Sequence, residues 1–313
     1  MQVGVEASSE SGRGSLADAL LVGAYDIHRH GYPEMSLDCR TRYSDVDNLI
    51  SSRDAGFKAV VLKSHFWPTV GRAYHLRNLV PGIDIIPSIT LNRVVGGFDP
   101  IAVESAALQG ARVMWFPTWS AANDIERGGI SRQIMPAYLK RTKDLPSDYG
   151  LRVTDAGGKV GSDVRECLAV AAEHDMLVCT GHISAQESIA LAGAIKDAGI
   201  ERFVFTHPDS GTVGATLEQI DEMVSLGAVC EVCAIGFMPL YMRMRIAEFV
   251  ALIERLGSAK IVLTSDYFFD WFPPASEAVR LVVGTLLQCN VSIDAIKDMI
   301  CRNPARLIGA TGS

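Results

Sequence analysis

The segment Asp26-Ile-His28-Arg-His30 is where the chain first offers chemistry. On an extended strand alternate side chains share a face, so His28 and His30 project together, with Asp26 below them. Two adjacent imidazoles can chelate a cation. Neutral imidazole is a good donor for zinc, iron, nickel or cobalt near pH 7. A His-x-His pair alone is common on ordinary surfaces, so the other donors decide. They occur in order at the ends of apolar runs: Lys63 and His65 after 57–62, His182 after 176–180, His207 after 202–206, and Asp266 after 260–264. His28, His30, His65, His182 and His207 therefore all sit at strand ends, while His75 and His174 fall in helical segments and read as structural. A carboxylate closing a buried strand, as Asp266 does, needs a partner.

The elements that must position these residues alternate. The run Leu20–Tyr25 leads into the first strand, and further strand-like runs lie at 57–62, 84–89, 111–116, 176–180, 202–206, 228–234 and 260–264. Helical spacing covers 44–55, capped by Ser44 and stopped by Gly56, then 70–79, 101–110, 163–174, 184–198, 216–226 and 244–256, with closing helices at 275–288 and 293–301. Eight strands, each followed by a helix or an insertion, predict an α/β fold, a (β/α)8 TIM barrel. Its rhythm breaks only in a long insertion after strand four, residues 117–162, with a small hairpin near 151–160. No G-x-G-x-x-G follows the first strand, which weighs against an open doubly wound sheet. Barrel sites lie at the C-terminal ends of the strands, where the donors fall. Residues 1–14 read as a flexible polar tail and 15–313 as one domain.

Composition narrows the partners. Apolar residues make up 48% and charged residues 21%, ordinary for a chain with a substantial core, and no run approaches a membrane span. A formal charge of -7 and a pI near 5.5 disfavour nucleic acid and anionic membrane surfaces. Seven scattered cysteines make no disulfide framework, so a cytoplasmic home is expected. Cys230 and Cys233 sit in a strand-like run with no second pair, which argues against a zinc or redox motif.

Taken together, His28, His30, His182, His207 and Asp266 resemble the ligand set of the amidohydrolase superfamily of metal-dependent (β/α)8 hydrolases, and Asn303-Pro304-Ala305 resembles its closing helical segment. The resemblance implies one divalent cation held by His28, His30 and Asp266 and a second held by His182 and His207. Strand four offers no lysine or carboxylate to bridge them, so Lys63 on strand two is the candidate bridge after carboxylation. Its alternative role is an ordinary amine that contacts substrate in a one-metal site. His65 is a ligand or a substrate contact. A metal-activated hydroxide is the expected nucleophile, with Asp266 moving the proton to the leaving group. Zinc is the first choice of metal, with iron and manganese as alternatives.

Trp67, Trp115, Trp119, Phe237, Phe268 and Trp271 lie at or just past strand ends, and Arg72, Arg93, Arg243 and Arg245 lie near the same rim. The aromatics predict a pocket for a bulky hydrophobic or aromatic small molecule, or else packing between loops or subunits. One arginine, Arg93 among them, could clamp an anionic end. The expected activity is hydrolysis of a carboxyl derivative: an amide, lactone, ester or thioester. The alternatives are one-metal decarboxylation of an aromatic or unsaturated acid, and a non-catalytic barrel scaffold. A homo-oligomer is left open.

Overall fold

In a computed structural model, residues 15–146 and 148–310 are described, and the expected N-terminal tail lies outside them. The strands are β1 (Tyr25–His30), β2 (Ala59–Lys63), β3 (Asp84–Ile86), β4 (Ser88–Thr90), β5 (Val113–Trp115), β6 (Leu177–Cys179), β7 (Phe203–Phe205), β8 (Val229–Cys233) and β9 (Ile261–Thr264). All pairings are parallel, in the orders β1-β2-β3 and β4-β5-β6-β7-β8-β9. Pro87 alone separates β3 from β4; it has no N–H to give, so one stave is divided in two. At the other seam, Asp266 N donates to His28 O (2.9 Å) and His30 N to Tyr267 O (3.0 Å). Eight staves thus run in a ring of the TIM-barrel type.

Strand parity divides the core. Ala59, Val61, Ile86, Val113, Trp115, Leu177, Val204, Val229 and Val262 fill the barrel interior, while Val60, Leu62, Ile85, Met114, Val178 and Phe205 pack outward against the helices. That parity carries Lys63 to the inner face at the top of β2. β1 departs from it. Its register with β2 shifts between Asp26 and Arg29, so Ile27 packs in the barrel interior and His28 still faces the mouth. Asp26 does not lie below the histidines as expected. It pairs with Arg29 (2.9 Å) and accepts from Ser265 N (2.9 Å) and Ser265 Oγ (2.6 Å), fastening β1 to the end of β9.

Most predicted helices lie within two or three residues of their expected bounds, for example Asp45–Asp54 capped by Ser44 and Val70–Leu79. The run before β1 is different. Leu16–Leu21 is a helix with a Ser15/Asp18 capping box, and Gly23 (φ +88°) turns the chain into the strand. The insertion holds short helices at Ala122–Glu126, Ile130–Gln133 and Met135–Tyr138, and Thr154 bridges Val160 antiparallel within the expected hairpin. At the C-terminus, Asn303 Nδ2 donates to Ser258 O (2.8 Å) and Ile261 O (2.7 Å), pinning the entry to β9. Among the described residues no helix is long and apolar enough to cross a membrane.

Candidate metal centre

The predicted donors meet at the C-terminal mouth. His28 Nε2 lies 3.0 Å from Lys63 Nζ and 3.1 Å from Asp266 Oδ1, and His30 Nε2 lies 3.3 Å from the same oxygen. The His182 and His207 ring centres are 5.0 Å apart, and His207 is 5.8 Å from His28. His65 stands 4.4 Å from His30 and 6.1 Å from His182. Two of these positions have left-handed backbone uncommon for side chains with a Cβ, His207 (φ +25°) and Asp266 (φ +48°). Gly181, just before His182, is also left-handed, and any Cβ there would collide with Phe116 O.

The outward nitrogens of four rings are tied. His28 Nδ1 meets Glu231 (3.0 Å), His65 Nδ1 meets Thr118 Oγ1 (2.8 Å), His182 Nδ1 meets Asp124 (2.8 Å) and His207 Nδ1 meets Ser210 Oγ (2.9 Å). An Nδ1–H donated outward leaves the lone pair on Nε2, facing the centre. His30 Nδ1 points at Glu34 from 3.5 Å, and that nitrogen and Glu34 Oε2 are buried without hydrogen-bond partners.

Electrostatics keeps most of these donors neutral. Burial holds His28 and His65 well below the usual imidazole range, lowers His182, and takes His207 down to about 3. Burial also lowers Lys63, against the pull of Asp266 and Glu231, toward the neutral amine. His30 differs: burial lowers it, but the Asp266 and Glu34 carboxylates beside it outweigh burial and raise it. Burial likewise pushes Asp266 up, but His28 and His30 hold it well below the ordinary carboxylate range. Glu231 is raised to about 7, chiefly by burial. Convergent neutral imidazoles, one anionic carboxylate and an unpartnered buried ring nitrogen are a donor set that fits a divalent cation. The donor atoms of His28, His30 and Asp266 lie within 4.8 Å of one another.

The pocket above is walled by Ile130, Ile134, Ile235, Tyr241, Phe268 and Phe269, with Asp209 and Arg243 among them. Of the aromatics expected at the mouth, Phe268 lines it, edge-on to His30 at 5.1 Å. The others sit elsewhere. Trp67 is 66% exposed and outside this pocket. Trp115 is buried below it, 4.6 Å from both the His28 ring and Lys63 Nζ, because strand parity turns it inward. Trp119 is buried, donating Nε1–H to His65 O (3.1 Å) and stacking on Phe66. Phe237 packs on Phe249, and Trp271 stacks on Phe269 at 5.0 Å. Arg93 is spent on Tyr149 O and Asp148 O and does not line the pocket.

Sequence reasoning missed Glu231, Asp124, Glu34 and Asp209. Glu231 carried a signal, being a carboxylate inside the apolar run of β8. Asp124 carried none: it sits in the aperiodic insertion, 58 residues from the histidine it orients. Cys230 and Cys233 are free, buried thiols, and Cys233 lines the pocket beside Glu231.

Solved structures share this barrel fold. A Pseudomonas aeruginosa amidohydrolase superposes with a TM-score of 0.63 at 10% identity over 93% of this chain and 98% of that one. An organophosphorus hydrolase from Deinococcus radiodurans gives 0.58 at 14%, covering 93% and 94%. A Pseudomonas putida protein assigned as a 2-pyrone-4,6-dicarboxylic acid hydrolase gives 0.58 at 16%, covering 93% and 99%. The chain itself belongs to the family of unknown function DUF6282, whose model matches residues 23–231 and so spans every candidate donor except Asp266. No curated protein matches the sequence.

Proposed function

We propose that this protein is a metal-dependent hydrolase of a carboxyl derivative (amide, lactone, ester or thioester) with a bulky apolar or aromatic body. The observation that carries the reading is the tethering of four strand-end imidazoles through Nδ1: the Glu231 and Asp124 carboxylates call for an Nδ1–H on His28 and His182, which leaves their Nε2 lone pairs for the centre, and the Thr118 and Ser210 hydroxyls can accept the same bond from His65 and His207. His28, His30 and Asp266 would hold one cation, and His182 and His207 a second. Lys63 lies beside His28 as a depressed amine able to take up carbon dioxide and bridge them. A divalent cation, zinc by first expectation, supplies Lewis acidity and lowers the pKa of a bound water. Asp266, kept ionised, accepts the proton of the attacking water and returns it to the leaving group. Phe268, Phe269, Ile130 and Ile134 exclude bulk water and hold the acyl body.

One observation favours a second reading. Among the described residues, the close donor groups include His28, His30 and Asp266 but none that joins His182 to His207. A single cation with Lys63 as a plain amine suits decarboxylation. Stripping the metal with a chelator, reloading zinc, manganese or iron, and screening aromatic esters, thioesters, lactones, amides and carboxylic acids separates the two. Reloading-dependent release of acid supports hydrolysis, and carbon dioxide release supports the alternative.

A further inference from the structure

Four arginines lie near the mouth, and three are committed. Arg72 pairs with Asp45 (3.7 Å) and donates to Pro33 O (2.5 Å), Arg93 is bonded to the insertion backbone, and Arg245 pairs with Glu248 (2.7 Å). Arg243 lines the pocket and forms no ion pair among the described residues, not even with Asp209 on the same wall. It is nonetheless held in place. Its guanidinium lies 4.7 Å over the Tyr241 ring, and the backbone N–H groups of Arg243 and Met244 both donate to Gly236 O, at 2.8 and 3.3 Å. Gly211 lies alongside it, where an added Cβ would be in ordinary contact with Arg243 Nη1 at 3.5 Å. An unpaired, stacked guanidinium at the edge of an apolar pocket is built for a planar anion, since its fork matches both oxygens of a carboxylate.

Resting on the hydrolase reading, we propose that Arg243 is the specificity-determining residue of this pocket. The substrate is then an amphipathic anion, whose reacting carboxyl derivative faces the donor cluster and whose free carboxylate, across an apolar or aromatic body, meets Arg243. The isoleucine and phenylalanine walls contact that body. A neutral substrate of the same shape forgoes the charge-assisted bonds.

Binding and turnover are measured separately. Calorimetric titration of the metal-replete protein uses 4-acetylbenzoate and its neutral isostere 4-nitroacetophenone, ketones without a hydrolysable acyl bond. Wild type is expected to prefer the anion by about tenfold or more, Arg243→Gln to lose the preference, and Arg243→Lys to keep part of it. Equal affinities in wild type, including no measurable binding of either, or a preference unchanged in Arg243→Gln, would overturn the proposal. Turnover of monomethyl terephthalate is then assayed. An anion preference without turnover leaves the Arg243 site standing and removes the hydrolase reading. Because Arg243 is exposed, thermal unfolding of both variants is expected to match wild type.

Discussion

The two sides of the mouth are built differently. Around β1, β2 and β9 the donors touch one another: His28, His30, Lys63 and Asp266 interlock within 3.0 to 3.3 Å. Around β6 and β7 each histidine is held from outside, His182 by Asp124 of the insertion and His207 by Ser210 of its own loop. The first side is organised by the barrel, the second by segments laid over it. Removing a group should therefore do most damage on the first side and graded damage on the second.

The largest expected effect is that of Asp266→Ala, which removes the carboxylate shared by His28 and His30 and the proposed proton carrier. It should lower kcat/KM by about 10³-fold or more and empty the β1 side of metal. Activity within tenfold of wild type would break the comparison. Asp124→Ala should weaken metal binding by about 10- to 100-fold on the β6–β7 side alone, read by titrating metal into the stripped protein. Equal loss on both sides would show that the insertion supports the entire centre.

A smaller effect concerns pH. His207 titrates near 3 in the folded protein against an ordinary 6.5, so the unfolded chain binds more protons between those values. Its stabilising contribution is complete above pH 6.5 and is lost as pH falls toward 3, by about 1.4 kcal/mol per pH unit. Glu231, raised to about 7, works in the opposite sense between 4.5 and 7, so the test compares metal-free wild type with His207→Gln. Urea unfolding of the two should converge as pH drops through that window, and a constant gap would refute the assignment. Smallest of all, Trp67→Ala should change stability by no more than about 0.5 kcal/mol and leave turnover intact, because the ring is exposed and outside the pocket.

What was legible in the sequence follows the same division. Donors at strand ends could be placed because strand periodicity and barrel topology dictate where such ends go, and Lys63 reached the mouth by parity alone. Pro87 divides a stave without moving it, so the count of eight survives. The walls were not legible. Trp67, Trp119 and Trp271 lie near strand ends in sequence, yet loop packing turns one to solvent and the other two onto neighbouring rings. Asp124 and Arg243 act through loops with no period to read, and the bulge that separates Asp26 from His28 and His30 leaves no compositional trace.

Metal content per chain, measured by elemental analysis on wild type and Lys63→Ala purified without chelator, tests the centre most directly. Two ions in wild type, falling to one or none in the variant, are the result expected of a lysine-bridged hydrolase. One ion in both would contradict the bridge and bring the decarboxylase forward, and a wild type that binds no metal would contradict the metal centre itself.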